Sequence, residues 1–62
     1  MIPIKGKRYR QIVDSQQGYE DWEYTGISME APGGEMLYAF KSDRGVYYWD
    51  EKDFEYYNFK EI

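Results

Sequence analysis

The stretch Trp22-Glu23-Tyr24-Thr25-Gly26-Ile27-Ser28-Met29 changes phase in its middle. Trp22 and Tyr24 share one face of an extended strand, because side chains alternate with a period of two. Ile27 and Met29 share the opposite face. The switch falls on Gly26, the residue best able to take up the bulged or sharply bent backbone that a change of face requires. A strand that bends at a glycine in mid-course is how a small sheet turns a corner. A plain edge strand with scattered apolar residues is the competing reading.

Outward from this stretch no helical period survives beyond a few residues, and the rings and β-branched residues favour strands. The pattern predicts five strands, over 7–13, 21–29, 35–42, 46–50 and 55–62. In the first, Tyr9, Gln11 and Val13 hold one phase and Arg8, Arg10 and Ile12 the other. Asp14-Ser-Gln-Gln-Gly18 is a turn-rich connection and Ala31-Pro-Gly-Gly34 a loop. Ser42-Asp-Arg-Gly45 joins the third strand to the fourth in one of two ways. A type I turn closed by a glycine bulge sets Phe40 opposite Tyr48 and Ala39 opposite Trp49. A two-residue loop instead sets Phe40 opposite Tyr47 and Tyr38 opposite Trp49. One residue of slip exchanges the faces. The expectation taken is the glycine bulge, with Tyr38, Phe40, Val46 and Tyr48 inward. Trp49-Asp-Glu-Lys-Asp-Phe54 is long enough for a single 3₁₀ turn before the last strand.

Size limits what these strands can hide. The chain has 62 residues, and eight tyrosines, three phenylalanines and two tryptophans give it thirteen large rings. A domain this short buries only about 60% of its unfolded surface, so some rings must face solvent. One domain, 1–62, is the only organisation that fits. With neither cysteine nor histidine, disulfides, thiolate metal sites and the commonest catalytic groups are all excluded. No apolar run approaches the ~20 residues of a membrane span. The charges of Met1-Ile-Pro-Ile-Lys-Gly-Lys-Arg8 are followed by no apolar run, unlike a signal peptide. A soluble, cytoplasmic protein is expected.

Five short strands, a tight hairpin, a bent second strand and a 3₁₀-like link describe an all-β fold, a small five-stranded SH3-like barrel. An oligonucleotide-binding barrel fits less well, since it usually needs more residues and a helix between its third and fourth strands. Lys5-Gly-Lys-Arg-Tyr-Arg10, Tyr38-Ala-Phe40, Gly45-Val-Tyr-Tyr-Trp49 and Asp53-Phe54 resemble, in layout over most of the chain, small SH3-like proteins encoded by phages and prophages. The resemblance implies a fold and a phage-encoded modulator of a host protein. It transfers no catalytic or binding residue.

Carboxylates are abundant but badly placed for chemistry. Glu20 with Asp21, Asp50 with Glu51, and Asp53 with Glu55 lie in or beside connections, whereas acid–base catalysis needs two carboxylates in contrasting environments within a cleft. No catalytic residue is expected. Asp50, Glu51 and Asp53 have a spacing superficially like that of a calcium loop but lack its glycine and closing glutamate. Solvated surface charge explains them better, so no metal and no cofactor is expected. Gly33-Gly34 has no lysine after it and no strand–loop–helix unit around it, unlike a phosphate loop.

The net charge of −4 is unevenly spread. Lys5, Lys7, Arg8 and Arg10 form a basic segment, while residues 14 to 35 carry acids and no base. Basic side chains around Tyr9 could hold single-stranded nucleic acid by stacking and phosphate contacts. The acidity of the remainder opposes that, and Tyr9 as a core residue with outward-facing neighbours is the simpler account. The stronger candidate is an aromatic–acidic surface made of Trp49, Trp22, Tyr47 and Tyr57 with Asp50, Glu51, Glu20 and Asp21. Tyrosine and tryptophan dominate interface hot spots, and acids steer a basic partner. At least one indole should be substantially exposed, Trp49 first and Trp22 second. The expected function is a non-enzymatic protein-binding module whose partner presents a basic surface. Nucleic-acid binding through the basic segment and an oligomeric structural or assembly role are the alternatives.

Overall fold

Tyr9 and Gln11, alternating with Arg8 and Arg10, give the first strand one buried face and one polar face. The computed structural model describes residues 1–14 and 18–62, with the side chains of Val13 and Asp14 outside that description. The central part of the expected 14–18 connection and the expected sharing of one phase by the Val13 side chain with Tyr9 and Gln11 therefore lie outside the described residues. The elements in chain order are β1 (Arg8–Asp14), β2 (Gly18–Glu30), β3 (Met36–Ser42), β4 (Gly45–Trp49), α1 (Glu51–Tyr56) and β5 (Lys60–Glu61). The strands form one antiparallel sheet in the order β4-β3-β2-β1-β5. It is an open sheet: β4 and β5 are its two edges, and no pairing among the described residues closes it into a barrel.

The irregularity expected at Gly26 is present. Pairing of β2 with β3 runs from Glu23↔Lys41 to Tyr24↔Phe40, breaks, and resumes at Ser28↔Tyr38. β2 therefore advances from Tyr24 to Ser28 while β3 advances only from Phe40 to Tyr38. Gly26 sits in this excess segment with φ +89°, a conformation that costs an L-residue strain and glycine almost none. Thr25 fills the break in the ladder. Its Oγ1 donates to the Ala39 carbonyl at 2.8 Å and accepts from the Ile27 N–H at 3.1 Å.

The hairpin takes the register that was not expected. Tyr38 faces Trp49, Ala39 faces Tyr48 and Phe40 faces Tyr47, across a two-residue loop of Asp43 and Arg44. Gly45 does have a positive φ of +122°, but it pairs with Ser42 inside the ladder and inserts no extra residue. Tyr38 and Phe40 are inward as expected. Val46 and Tyr48 are not: they are 57% and 46% exposed, on the opposite face.

The C-terminal segment also departs from expectation. Instead of a 3₁₀ turn followed by a strand from residue 55, an α-helix occupies Glu51–Tyr56 and only Lys60–Glu61 pair with β1. The cause is a reciprocal capping box. Asp50 Oδ1 accepts from the Asp53 N–H at 2.8 Å, and Asp53 Oδ2 accepts from the Asp50 N–H at 3.1 Å. Asn58, at φ +52°, then reverses the chain, and the Phe59 N–H donates back to the Phe54 carbonyl at 2.8 Å.

The core is built almost wholly of rings: Tyr9, Trp22, Tyr24, Tyr38, Phe40, Phe54 and Phe59. Phe40, fully buried, meets Tyr9, Tyr24, Phe54 and Phe59 at centroid separations between 5.3 and 5.8 Å. Such tilted and edge-to-face contacts are favoured by the ring quadrupoles. Tyr9 keeps its hydroxyl satisfied by accepting from the Ile4 N–H at 2.8 Å.

Candidate functional site, an aromatic row beside the β4 edge

Period-two alternation carries the inner phase of β2 outward from the core. Trp22 lies on the core face, 2% exposed, and its Nε1–H donates to Gln11 Oε1 at 2.9 Å. Gln11 sits beside Tyr9 in phase and is itself buried, so an indole donor and an amide acceptor satisfy each other away from water. Over Trp22 lies Tyr47 of β4, with ring centroids 5.2 Å apart. Tyr47 runs nearly parallel to Trp49 at 6.3 Å, and Trp49 meets Tyr57 edge-on at 5.3 Å. Trp22 and Trp49 also touch, at 5.8 Å. The four rings expected at a contact surface thus form one contiguous group.

They differ in accessibility. Trp22 is the floor, which corrects the expectation that it would be the second exposed indole. Trp49 is half-buried rather than openly exposed, because the two-residue hairpin register turns it toward Tyr38, Phe59 and the core. Tyr47 is 50% exposed, Tyr57 is half-buried, and Tyr56 extends the row with its ring 4.9 Å from Tyr57. Tyr57 is fixed from behind, since its carbonyl accepts the Ile12 N–H at 3.0 Å. The Trp49 Nε1–H is buried and has no hydrogen-bond partner among the described residues. What Trp49 offers to solvent is therefore carbon, a stacking surface rather than a donor.

The acids divide. Glu20 shares the phase of Trp22 and takes Arg44 Nε at 3.2 Å. Asp50 caps α1 directly after Trp49, and Glu51 is exposed in the first turn. Asp21 belongs to the other face of the sheet. There it holds Arg10 through both carboxylate oxygens, at 2.9 and 3.2 Å, with Arg8 at 3.8 Å. The hydrogen bond from Arg10, assisted by the nearby charges of Arg10 and Arg8, keeps the Asp21 carboxyl below the usual aspartate range. The same bond raises Arg10 above its ordinary value. Burial raises the Tyr38 phenol.

The basic segment divides between solvent and the ion pairs with Asp21. Lys5, Lys7 and Arg8 are exposed, while Arg10 is half-buried between Asp21 and Tyr19 with its guanidinium 3.6 Å from the Tyr19 ring centroid. Tyr9, the ring around which the basic residues are grouped in sequence, is core. Among the described residues no group of three or more acidic side chains is placed to hold a metal ion, and Asp50 and Asp53 are occupied with each other. Gln11, Arg44 and Tyr56 were not anticipated as parts of this region. The alternation of Gln11 with Tyr9 was a readable signal for the first, whereas the other two depend on the hairpin register and the helix. No protein-family model, curated protein or solved structure matches the chain.

Proposed function

We propose that the protein is a non-enzymatic binding module acting in the cytoplasm, on an SH3-like scaffold, whose contact surface is the row Tyr47, Trp49 and Tyr57 floored by Trp22. Its partner is a protein with a basic surface. The carrying observation is the continuity of these rings, each within 5.2 to 6.3 Å of the next, at a place where Tyr47 remains half exposed. Large rings already held in place by packing lose little freedom on binding, which is why tyrosine and tryptophan recur as anchors. With the Trp49 donor turned inward, the exposed ring faces suit aliphatic stems and cations, above all arginine and lysine side chains. Glu20, Asp50 and Glu51 supply the matching charge.

Support for the SH3-like scaffold comes from the strand order β4-β3-β2-β1-β5, the break in mid-β2 and the helical link before β5. A phage-encoded modulator of a host protein is the role in which we place it. Against nucleic acid stands the engagement of Arg8 and Arg10 by Asp21. The test is affinity capture from the native host, comparing wild type with Tyr47→Ala. A protein retained by wild type and lost with the variant is the expected result. Salt-sensitive capture of nucleic acid, lost instead when Lys5 and Lys7 are replaced, would overturn it.

A further inference from the structure

β4, Gly-Val-Tyr-Tyr-Trp over residues 45–49, is an edge strand that lacks three of the usual protections. It has no charge, no proline and no bulge within it, and edges of that kind pair with other chains. Ser42 and Gly45, separated by two residues, form the pair that closes the hairpin ladder, and so tight a closure is of the hydrogen-bonded kind. Alternation then makes Phe40↔Tyr47 and Tyr38↔Trp49 hydrogen-bonded pairs as well. The N–H and C=O groups of Val46 and Tyr48 point away from β3. Among the described residues, no backbone hydrogen bond outside the sheet engages Val46, Tyr47 or Tyr48. Among the described residues these groups therefore have no backbone partner at the sheet margin.

We infer that the protein forms a two-fold symmetric homodimer by antiparallel pairing of β4 with β4 of a second copy, extending the sheet across the axis. This goes beyond the binding reading above and does not depend on it. An axis through Tyr47 sets Val46 opposite the second copy's Tyr48. Those are the residues whose hydrogen-bonding groups face outward, so the ladder forms without distortion. Shifting the register by one residue would set outward groups against inward ones. The same axis sets Arg44 opposite the second copy's Asp50, placing opposite charges at both ends of the uncharged strand. Side chains agree too: Val46 meets a tyrosine on the outer face, and Tyr47 meets its own copy on the inner face, both favourable cross-strand pairs. The shared strand is short, so the dimer dissociates on dilution.

Sedimentation of the intact chain over a wide concentration range tests this. The expected result is a reversible shift between 7.5 kDa and twice that mass. Amide exchange by NMR should show Val46 and Tyr48 protected at high concentration and losing protection on dilution, while Tyr47 stays protected throughout. Tyr48→Pro removes an N–H that the monomer does not use, so the monomer fold survives and the dissociation constant rises at least about tenfold. Should that variant fail to fold, Arg44→Glu provides the second reading by setting like charges opposite each other at both ends, and it should weaken the dimer. A chain that stays monomeric at every concentration overturns the inference. So does a dimer in which the Val46 and Tyr48 amides exchange freely.

Discussion

Trp22 and Tyr47 lie on strands separated by β3, yet their rings approach to 5.2 Å between centroids. The approach divides one aromatic group into a floor and a rim. Trp22 is the floor, packed and hydrogen-bonded; Tyr47 is the rim, half open to solvent. The two should respond differently to the same truncation. Trp22→Ala is expected to cost about 3–5 kcal/mol, a large part of what a domain of this size has. Tyr47→Ala should cost about 1 kcal/mol and leave a folded protein. Thermal unfolding of both variants checks the difference, and equal losses would refute it.

The bond beneath Trp22 gives a second expectation. Gln11→Leu leaves the indole N–H buried with no acceptor, at a cost of about 1–3 kcal/mol. Gln11→Glu keeps an acceptor for the indole but buries a carboxylate, so it too should destabilise the protein near neutral pH and less so in acid. Denaturant midpoints at two pH values would show whether the pair behaves in this way.

Gly26 tests the bend in β2. A Cβ added there would lie 2.7 Å from Lys5 Cδ, but that is part of a flexible side chain able to move aside. The dominant cost of Gly26→Val is the backbone at φ +89°, on the order of 1–2 kcal/mol or more for a β-branched residue. Adding Lys5→Ala should therefore restore little of the lost stability. Full rescue by that second change would show the side-chain clash to be the cause.

Asp21 gives the acid dependence. Its folded carboxyl titrates below the unfolded value of about 3.9, chiefly because Arg10 donates to it. Its contribution is present above that value and is lost as pH falls through it toward the lower folded value. Wild type should thus lose more thermal stability between about pH 7 and pH 3 than Asp21→Asn does. Equal losses would mean that the ion pair carries no pH-dependent stability.

The two phases of β1 and β2 were legible because Tyr9 with Gln11, and Trp22 with Tyr24, repeat at period two, but which phase of β2 faces inward was not, since Trp22 was expected at the surface. The break at Gly26 was legible because the apolar phase itself changes there. The hairpin register was not, since Ser42-Asp-Arg-Gly45 satisfies both loop types locally. Tertiary packing of Tyr47 over Trp22 accompanies the register observed. α1 was hidden by the Tyr56-Tyr57-Phe59 pattern, which reads as strand, although Asp50 and Asp53 stand at capping-box spacing. The rings of the candidate surface do lie beside one another, but their accessibility depended on that register, and so Trp22 and Trp49 proved less exposed than expected.

The most direct test of the contact surface is photo-crosslinking in the native host with a photoreactive phenylalanine at position 57, in the aromatic row, or at position 19, on the opposite face. The account predicts an adduct to a different protein from position 57 and none from position 19. A self-adduct would appear at twice 7.5 kDa and is thereby told apart. Adducts from position 19 alone, or from neither position, would contradict the assignment of Tyr47, Trp49 and Tyr57 as the binding surface.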